Sequence, residues 1–245
     1  MTLAPETLYA VLDATWPAAR FTRLGPWTLR EGQGGGQRVS AATAEDAVGV
    51  GDIEIAIAAM REMGQRPLFM VRAGEAALDA QLAERGLILH DPVNAYACPA
   101  EALTDIPVPR VTALRVWEPL QIMREIWAEG GIGPGRLAVM ERAPQPKTAI
   151  LGRINDKPGG ACFVAMHQGV AMVHAIEVLP HQRRHGMAGW FMREAAVWTL
   201  DNGGHTLSVV CTRANTAANA LYASLGMASV GQYHYRRMSG EDDRT

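Results

Sequence analysis

The chain has 245 residues, 48% apolar and 20% charged, with a net charge of −2. That is globular composition; it excludes a largely disordered chain and argues against a generally basic nucleic-acid binder. No apolar run is long enough to span a bilayer, and Met1 to Glu6 lack the basic-then-apolar order of a secretory signal.

Cys98, Cys162 and Cys211 form no CxxC pair. Three widely spaced cysteines suit neither a disulfide framework nor a zinc site, so buried thiols, a reducing cytoplasmic setting and no metal are expected. Charge divides the chain. Residues 1–105 carry 8 Arg against 14 Asp and Glu, whereas residues 106–245 carry 15 Lys and Arg against 11 acids. Pro107 and Pro109 resist regular structure beside that division. Two domains are expected, 1–105 and 106–245.

In chain order, Leu8 to Thr15 reads as a helix. Trp27 to Glu31 and Val39 to Ala44 read as strands around the glycine-rich turn 32–36. Asp52 to Met63 reads as a helix, Pro67 to Val71 as a strand, Glu75 to Arg85 as a helix and Gly86 to Cys98 as a strand region. The second half is clearer. Val108 to Trp117 alternates like a strand. Leu120, Met123, Ile126 and Trp127 recur at helical spacing, and a glycine-rich run from Gly130 breaks the helix. A short helix over Arg136 to Arg142 follows. Ala149 to Asn155, Gly160 to His167 and Val170 to Val178 read as a three-strand meander with hairpin turns. Gly186 to Asp201 is a long helix, stopped at Asn202-Gly203-Gly204. Thr206 to Cys211, Ala214 to Leu225 and Met227 to Met238 complete the order as strand, helix and strand, with 233–237 expected at a sheet edge. The order implies an α+β fold, a mixed and mostly antiparallel sheet flanked by helices.

The chemical signal sits where the third meander strand meets the long helix, in the run from Val178 to Gly189. A helix N-terminus presents unpaired N–H groups and the positive end of the helix dipole. Small residues at Gly186, Ala188 and Gly189 let a phosphate approach the backbone, and Arg183, Arg184 and His185 add positive charge. The junction reads as a diphosphate site. It is neither a Gly-Lys-Ser/Thr P-loop nor a three-glycine dinucleotide fingerprint.

Arg183-x-x-Gly186-x-Ala188 resembles the Gln/Arg-x-x-Gly-x-Gly/Ala motif of the GCN5-related N-acetyltransferase (GNAT) superfamily. Asn215-x-x-Ala218-x-x-x-Tyr222, followed by Leu225-Gly226-Met227, is similar to that family's second signature. The resemblance covers roughly residues 108–238. Arg184 stands where many members carry Gly, and Met227 stands for the usual Phe.

The resemblance implies the acyl-CoA N-acyltransferase fold and acetyl-CoA as co-substrate, with acetyl transfer by direct attack of an amine from a small molecule or a peptide. It implies that amides around Arg183, Arg184, His185, Gly186, Met187 and Ala188 hold the pyrophosphate. Ile176 and Val178 would meet the acetyl carbonyl and pantetheine through the backbone, and Asn215 would touch the cofactor. Tyr222 would protonate the leaving thiolate. The base is open between His174 and Glu177. These lie on opposite faces of a regular strand, and alternation puts His174 with Ile176 and Val178. A larger acyl-CoA donor and a non-catalytic CoA-binding sensor are the alternatives. No nucleic-acid or membrane partner is expected.

Residues 67–98 repeat the strand–helix–Gly–strand order of 206–238. The first half therefore resembles a degenerate second copy without the Arg-x-x-Gly motif, the asparagine or the tyrosine; an unrelated accessory α+β extension is the alternative. Its acidic balance suits a docking or acceptor-shaping role.

Overall fold

The computed structural model describes residues 3–240. In chain order the elements are α1 (Pro5–Thr15), β1 (Arg20–Leu24), β2 (Trp27–Glu31), β3 (Thr43–Ala44), α2 (Asp52–Glu62), β4 (Leu68–Arg72), α3 (Ala76–Glu84) and β5 (Leu87–Pro99). They continue with β6 (Ala113–Val116), α4 (Gln121–Glu129), α5 (Pro134–Arg142), β7 (Lys147–Ile154), β8 (Lys157–His167), β9 (Val170–Val178), α6 (Met187–Asp201), β10 (Thr206–Thr212), α7 (Thr216–Ser224) and β11 (Ala228–Met238). Short 3-10 turns fall at 37–39, 100–103 and 180–182. The protein is α+β with mostly antiparallel pairing.

The chain folds into two compact units that do not follow one cut. The first holds Met1–Pro17, Ala95–Cys211 and Asn215–Val230, and the second holds Ala18–Asn94, Thr212–Ala214 and Gly231–Thr245. The segment 104–109 therefore lies inside the first unit. β5 and β11 each give residues to both.

In the first unit the strand order is β5-β10-β9-β8-β7-β6. β7, β8 and β9 form the antiparallel meander, and β10 joins β9 in parallel, Val209 opposite Val173. α6 packs its buried Phe191, Met192, Ala195 and Ala196 on one face of this sheet, over Cys162, Val164, Val173 and Leu207. Truncating a ring such as Phe191 to alanine would cost about 3–5 kcal/mol.

In the second unit β1, β2 and β3 pair antiparallel, and β4 pairs antiparallel with the 233–237 segment of β11. Ala42 and Phe69 form a parallel bridge there. Trp27, Phe69, Met60 and Leu82 are the centre of its core.

Several expectations are corrected. The 233–237 segment is no sheet edge, because β11 runs between β4 and β5. Tyr233 and Tyr235 are accordingly buried. Val108 to Trp117 shrinks to four strand residues, since Pro107, Pro109 and the left-handed Val111 (φ 62°) keep the preceding chain irregular. Of Val39 to Ala44 only Thr43–Ala44 form a strand, and Val39 ends a 3-10 turn. β1 escaped the sequence reading because four of its five residues are exposed and no apolar alternation marks it.

Candidate functional site

β9 carries the feature that decides the site's shape. Across the β8–β9 ladder, Phe163 faces His174 and Ala161 faces Glu177. Only Cys162 lies between the first pair of positions, but Ala175 and Ile176 lie between the second. β9 is thus bulged by one residue, with Ala175 in the left-handed region (φ 50°). The extra residue resets the alternation. His174 and Glu177 fall on one face, although three residues separate them. Ile176 and Val178 turn to the other face, where they pack against the α6 core. The expectation that His174 shares a face with Ile176 and Val178 is therefore overturned, and the bulge is the reason.

His174 is a core residue, 4% exposed. Its ring centroid lies 5.0 Å from that of Trp16 and 6.2 Å from that of Phe163. Its Nε2 is 2.9 Å from Thr15 Oγ1, and the Thr15 hydroxyl donates its proton to the Val11 carbonyl at 2.6 Å. The threonine oxygen must then accept from the ring, so His174 Nε2 carries a hydrogen and offers no lone pair there. Glu177 is half-buried. Its Oε1 accepts from the Arg183 guanidinium at 3.2 Å, and Arg183 Nε donates to the Val178 carbonyl at 2.9 Å.

Beyond β9 the chain turns through Pro180–Gln182 into an exposed loop of Arg183, Arg184 and His185. Arg184 has φ 65°, the conformation that glycine adopts freely. Gly186 (φ 80°, ψ 2°) caps α6 without a side-chain hydrogen bond, and no acidic residue lies in the first turn. The Met187 side chain points inward. A Cβ on Gly152 or Gly160 would stand 2.6 or 2.5 Å from its sulfur, so those paired glycines make the hollow it fills. With that side chain anchored, only the Met187 amide is left for a ligand. Ala188 is half-buried on the next position.

Asn215 caps α7, its Oδ1 accepting from the Ala218 N–H at 3.1 Å. Tyr222 is buried in the α6 core, 5.5 Å ring to ring from Tyr96. Burial first, and then the neighbouring Cys211, Cys162 and Tyr96, push its phenol well above the usual range, so it holds its proton at neutral pH. Burial likewise raises the Cys98 and Cys211 thiols to about 11.

Sequence reasoning missed two residues beside Glu177. Trp127 of α4 donates its indole N–H to the Ala175 carbonyl at 2.9 Å, and Gly130 lies against the Glu177 carboxylate. Helical spacing marked Trp127 only as core, and the glycine run marked Gly130 only as a helix stop. The signal that would have exposed them, the bulge, is a tertiary feature.

Residues 118–227 match the Acetyltransferase (GNAT) family. The segment is a GNAT acetyltransferase domain. The GNAT fold also extends over nearly the whole chain in solved structures. A GCN5-related N-acetyltransferase from Kribbella flavida superposes with a TM-score of 0.73 at 17% identity, covering 98% of this chain and 97% of its own. A functionally unknown conserved protein from Staphylococcus epidermidis ATCC 12228 gives 0.69 at 13% identity, covering 92% and 96%. A tandem GNAT protein from the clavulanic acid biosynthesis pathway gives 0.62 at 12% identity, covering 99% and 91%. At these identities the likeness is one of fold. No curated protein sequence matches this chain. Among the described residues, no helix is long and apolar enough to cross a membrane, and no group of three or more His, Cys, Asp or Glu is placed to hold a metal ion.

Proposed function

We propose that the GNAT domain moves the acetyl group of acetyl-CoA to an amine by direct attack. The observation that carries this reading is the junction of a bulged β9 with an α6 whose N-terminus has neither a side-chain cap nor an acidic residue. Such an end leaves amides free for an anion. In this reading the amides of Gly186, Met187 and Ala188 bind the diphosphate, and Arg183, Arg184 and His185 add charge around it. The backbone of Ile176 and Val178 binds the pantetheine arm and polarises the thioester carbonyl. Glu177 takes the proton that an ammonium must lose before it attacks. Tyr222, held protonated by burial, gives its proton to the departing thiolate. The Asn215 Oδ1 caps α7, and its Nδ2 is left to meet the cofactor. His174 supports β9 from below and takes no proton through Nε2.

We also propose that the boundary at 105/106 separates two copies of one fold, the first degenerate. Each copy runs through an antiparallel three-strand meander, a helix, a strand, a helix and a last strand. The parallel bridge Ala42–Phe69 in the first repeats the parallel pairing of β9 with β10 in the second. The last strand of each copy ends in the other unit, which accounts for part of the interleaving; α1 and residues 212–214 also fall in the unit of the other half.

The test is thermal unfolding with acetyl-CoA and longer acyl-CoAs, followed by mass spectrometry of an amine panel. Acetyl-CoA at about 100 times its dissociation constant should add about 2.7 kcal/mol of stability. An unfolding temperature indifferent to every acyl-CoA would dismiss the reading.

A further inference from the structure

The end of α4 touches β9 at two points. Trp127, fully buried, ties its indole N–H to the carbonyl of Ala175, the left-handed residue of the bulge. That residue sits in a sparsely populated region costing on the order of 1–3 kcal/mol, and it persists only where its surroundings hold it. Gly130 comes next. A Cβ built on it would stand 2.3 Å from Glu177 Oε2 and 2.4 Å from the carboxyl carbon.

The backbone does not demand glycine at 130. Its φ of −81° and ψ of 8° suit any L-residue. The left-handed turn that ends the helix belongs to Gly131, at φ 76°. What position 130 supplies is room, and the group that fills it is the carboxylate. From the other side Arg183 holds Oε1.

We propose that Trp127 and Gly130 are positioning residues that aim the Glu177 carboxylate at the acceptor amine. Trp127 fixes the bulge that turns residue 177 to the acceptor face. Gly130 leaves the space in which its carboxylate settles. The proposal rests on Glu177 as the base: an ammonium gives one proton to the carboxylate, the freed lone pair attacks the thioester carbon, and the C–N bond forms as the C–S bond breaks; the departing thiolate takes the Tyr222 proton, which the second proton of the new amide nitrogen replaces, and the proton on Glu177 leaves to water. Displacing a reacting group by about 1 Å can cost about a hundredfold in rate.

Gly130→Ala is the sharpest test, because it changes neither the base nor the helix backbone. Glu177→Ala, Gly130→Ala and their double variant would be compared with acetyl-CoA and the fastest amine from a panel of alkyl amines, arylalkyl amines and peptides with free N-termini. Glu177→Ala should lower kcat about a hundredfold. Gly130→Ala should lower it at least about tenfold, with KM for acetyl-CoA and unfolding temperature unchanged. In the Glu177→Ala background the second change should cost nothing, as expected for residues acting as one unit. Trp127→Phe, which keeps the ring and loses the N–H, should also lower kcat.

Full activity in Glu177→Ala would remove the base assignment itself. A slow Glu177→Ala beside a fully active Gly130→Ala would overturn the positioning role alone. An equal loss from Gly130→Ala in both backgrounds would overturn it too, by showing that the residue acts on the fold. Should no amine be acetylated, the proposed reaction falls. The crystal structure of Gly130→Ala then decides the inference: a carboxylate still in its present place overturns it.

Discussion

α2 and α6 begin alike. Gly51 (φ 91°) and Gly186 (φ 80°) both open their helices in the left-handed region, and neither helix has a side-chain cap. Their electrostatics differ. α2 places Asp52 and Glu54 in its first turn, and Asp52 Oδ2 accepts from the Gly49 N–H at 2.7 Å. Those carboxylates already answer the positive end of the dipole and would repel a phosphate. α6 has no acid there, and it follows Arg183, Arg184 and His185. A glycine-opened helix is therefore not enough; the proposed anion site needs an end that the protein itself leaves unneutralised.

Placing the same insult at both glycines tests this directly. Glutamate at either position forces a side chain into the left-handed region, at about 1–2 kcal/mol. Gly186→Glu should also erase the rise in unfolding temperature given by acetyl-CoA, while Gly51→Glu keeps it. An intact rise in Gly186→Glu would mean that the two helix ends are interchangeable and the site lies elsewhere.

The comparison continues one helix further on. α3 and α7 keep step residue for residue: 76 answers 216, 84 answers 224, and Gly86 (φ 80°) answers Gly226 (φ 72°). Leu82 of α3 then stands where α7 has Tyr222. Both are buried, but only the tyrosine has a proton to give. Tyr222→Phe should lower kcat about a hundredfold with little change in stability, because it keeps the buried ring and removes only the hydroxyl. Leu82→Ala should do the reverse, costing about 2–5 kcal/mol of stability and leaving KM for acetyl-CoA unchanged. Turnover of Tyr222→Phe at the parent rate would strip the tyrosine of its acid role.

These pairs show what the sequence makes legible. Periodicity and helix-end chemistry are local, so α4, α6, α7 and the meander strands emerge within a few residues of their observed bounds. The proposed phosphate loop is legible as a pattern for the same reason: Gly186 and its basic neighbours are contiguous. The choice of the proposed base was not legible. Whether His174 or Glu177 faces an acceptor depends on one residue inserted at Ala175, and that insertion is stabilised by Trp127 from another element. Alternation along a strand carries no trace of such a bulge. That β5 and β11 each give residues to both units was hidden too, because pairing partners distant in sequence leave no periodic mark.

β5 and β11 give a smaller and cleaner comparison. In the second unit Asp79 of α3 accepts both arms of Arg236 at 2.7 and 3.0 Å, with His234 Nε2 2.7 Å away. At the matching place in the first unit, Asn219 of α7 accepts from the Tyr96 hydroxyl at 2.8 Å. One contact is ionic and the other neutral. The hydrogen bond from Arg236, aided by His234, lowers the Asp79 carboxyl from 3.8 to about 2. A depressed carboxylate contributes stability above its unfolded value, and that contribution disappears as pH falls from about 4 through about 2. Solvent screening leaves about 1 kcal/mol of it. Asp79→Asn should therefore destabilise by about 1 kcal/mol at pH 7 and by nothing near pH 2, while Asn219→Ala shows no pH dependence over that range. Chemical denaturation at the two pH values measures both, and a pH-independent Asp79→Asn would show that the ion pair contributes nothing.

The smallest effect separates two roles within one side chain. Asn215 and Glu75 hold matching positions at the starts of α7 and α3, but only Asn215 caps its helix; Glu75 instead accepts from the Arg72 N–H at 2.7 Å. Asn215→Ala should cost about 1 kcal/mol as a lost cap. Asn215→Ser restores an oxygen at the cap and removes the amide donor assigned to the cofactor. It should keep the parent stability while raising KM for acetyl-CoA a few-fold, the loss of one hydrogen bond worth about 0.5–1.5 kcal/mol. A serine variant equal to the parent in both measures would reduce Asn215 to a helix cap and leave the cofactor to the α6 amides and their arginines.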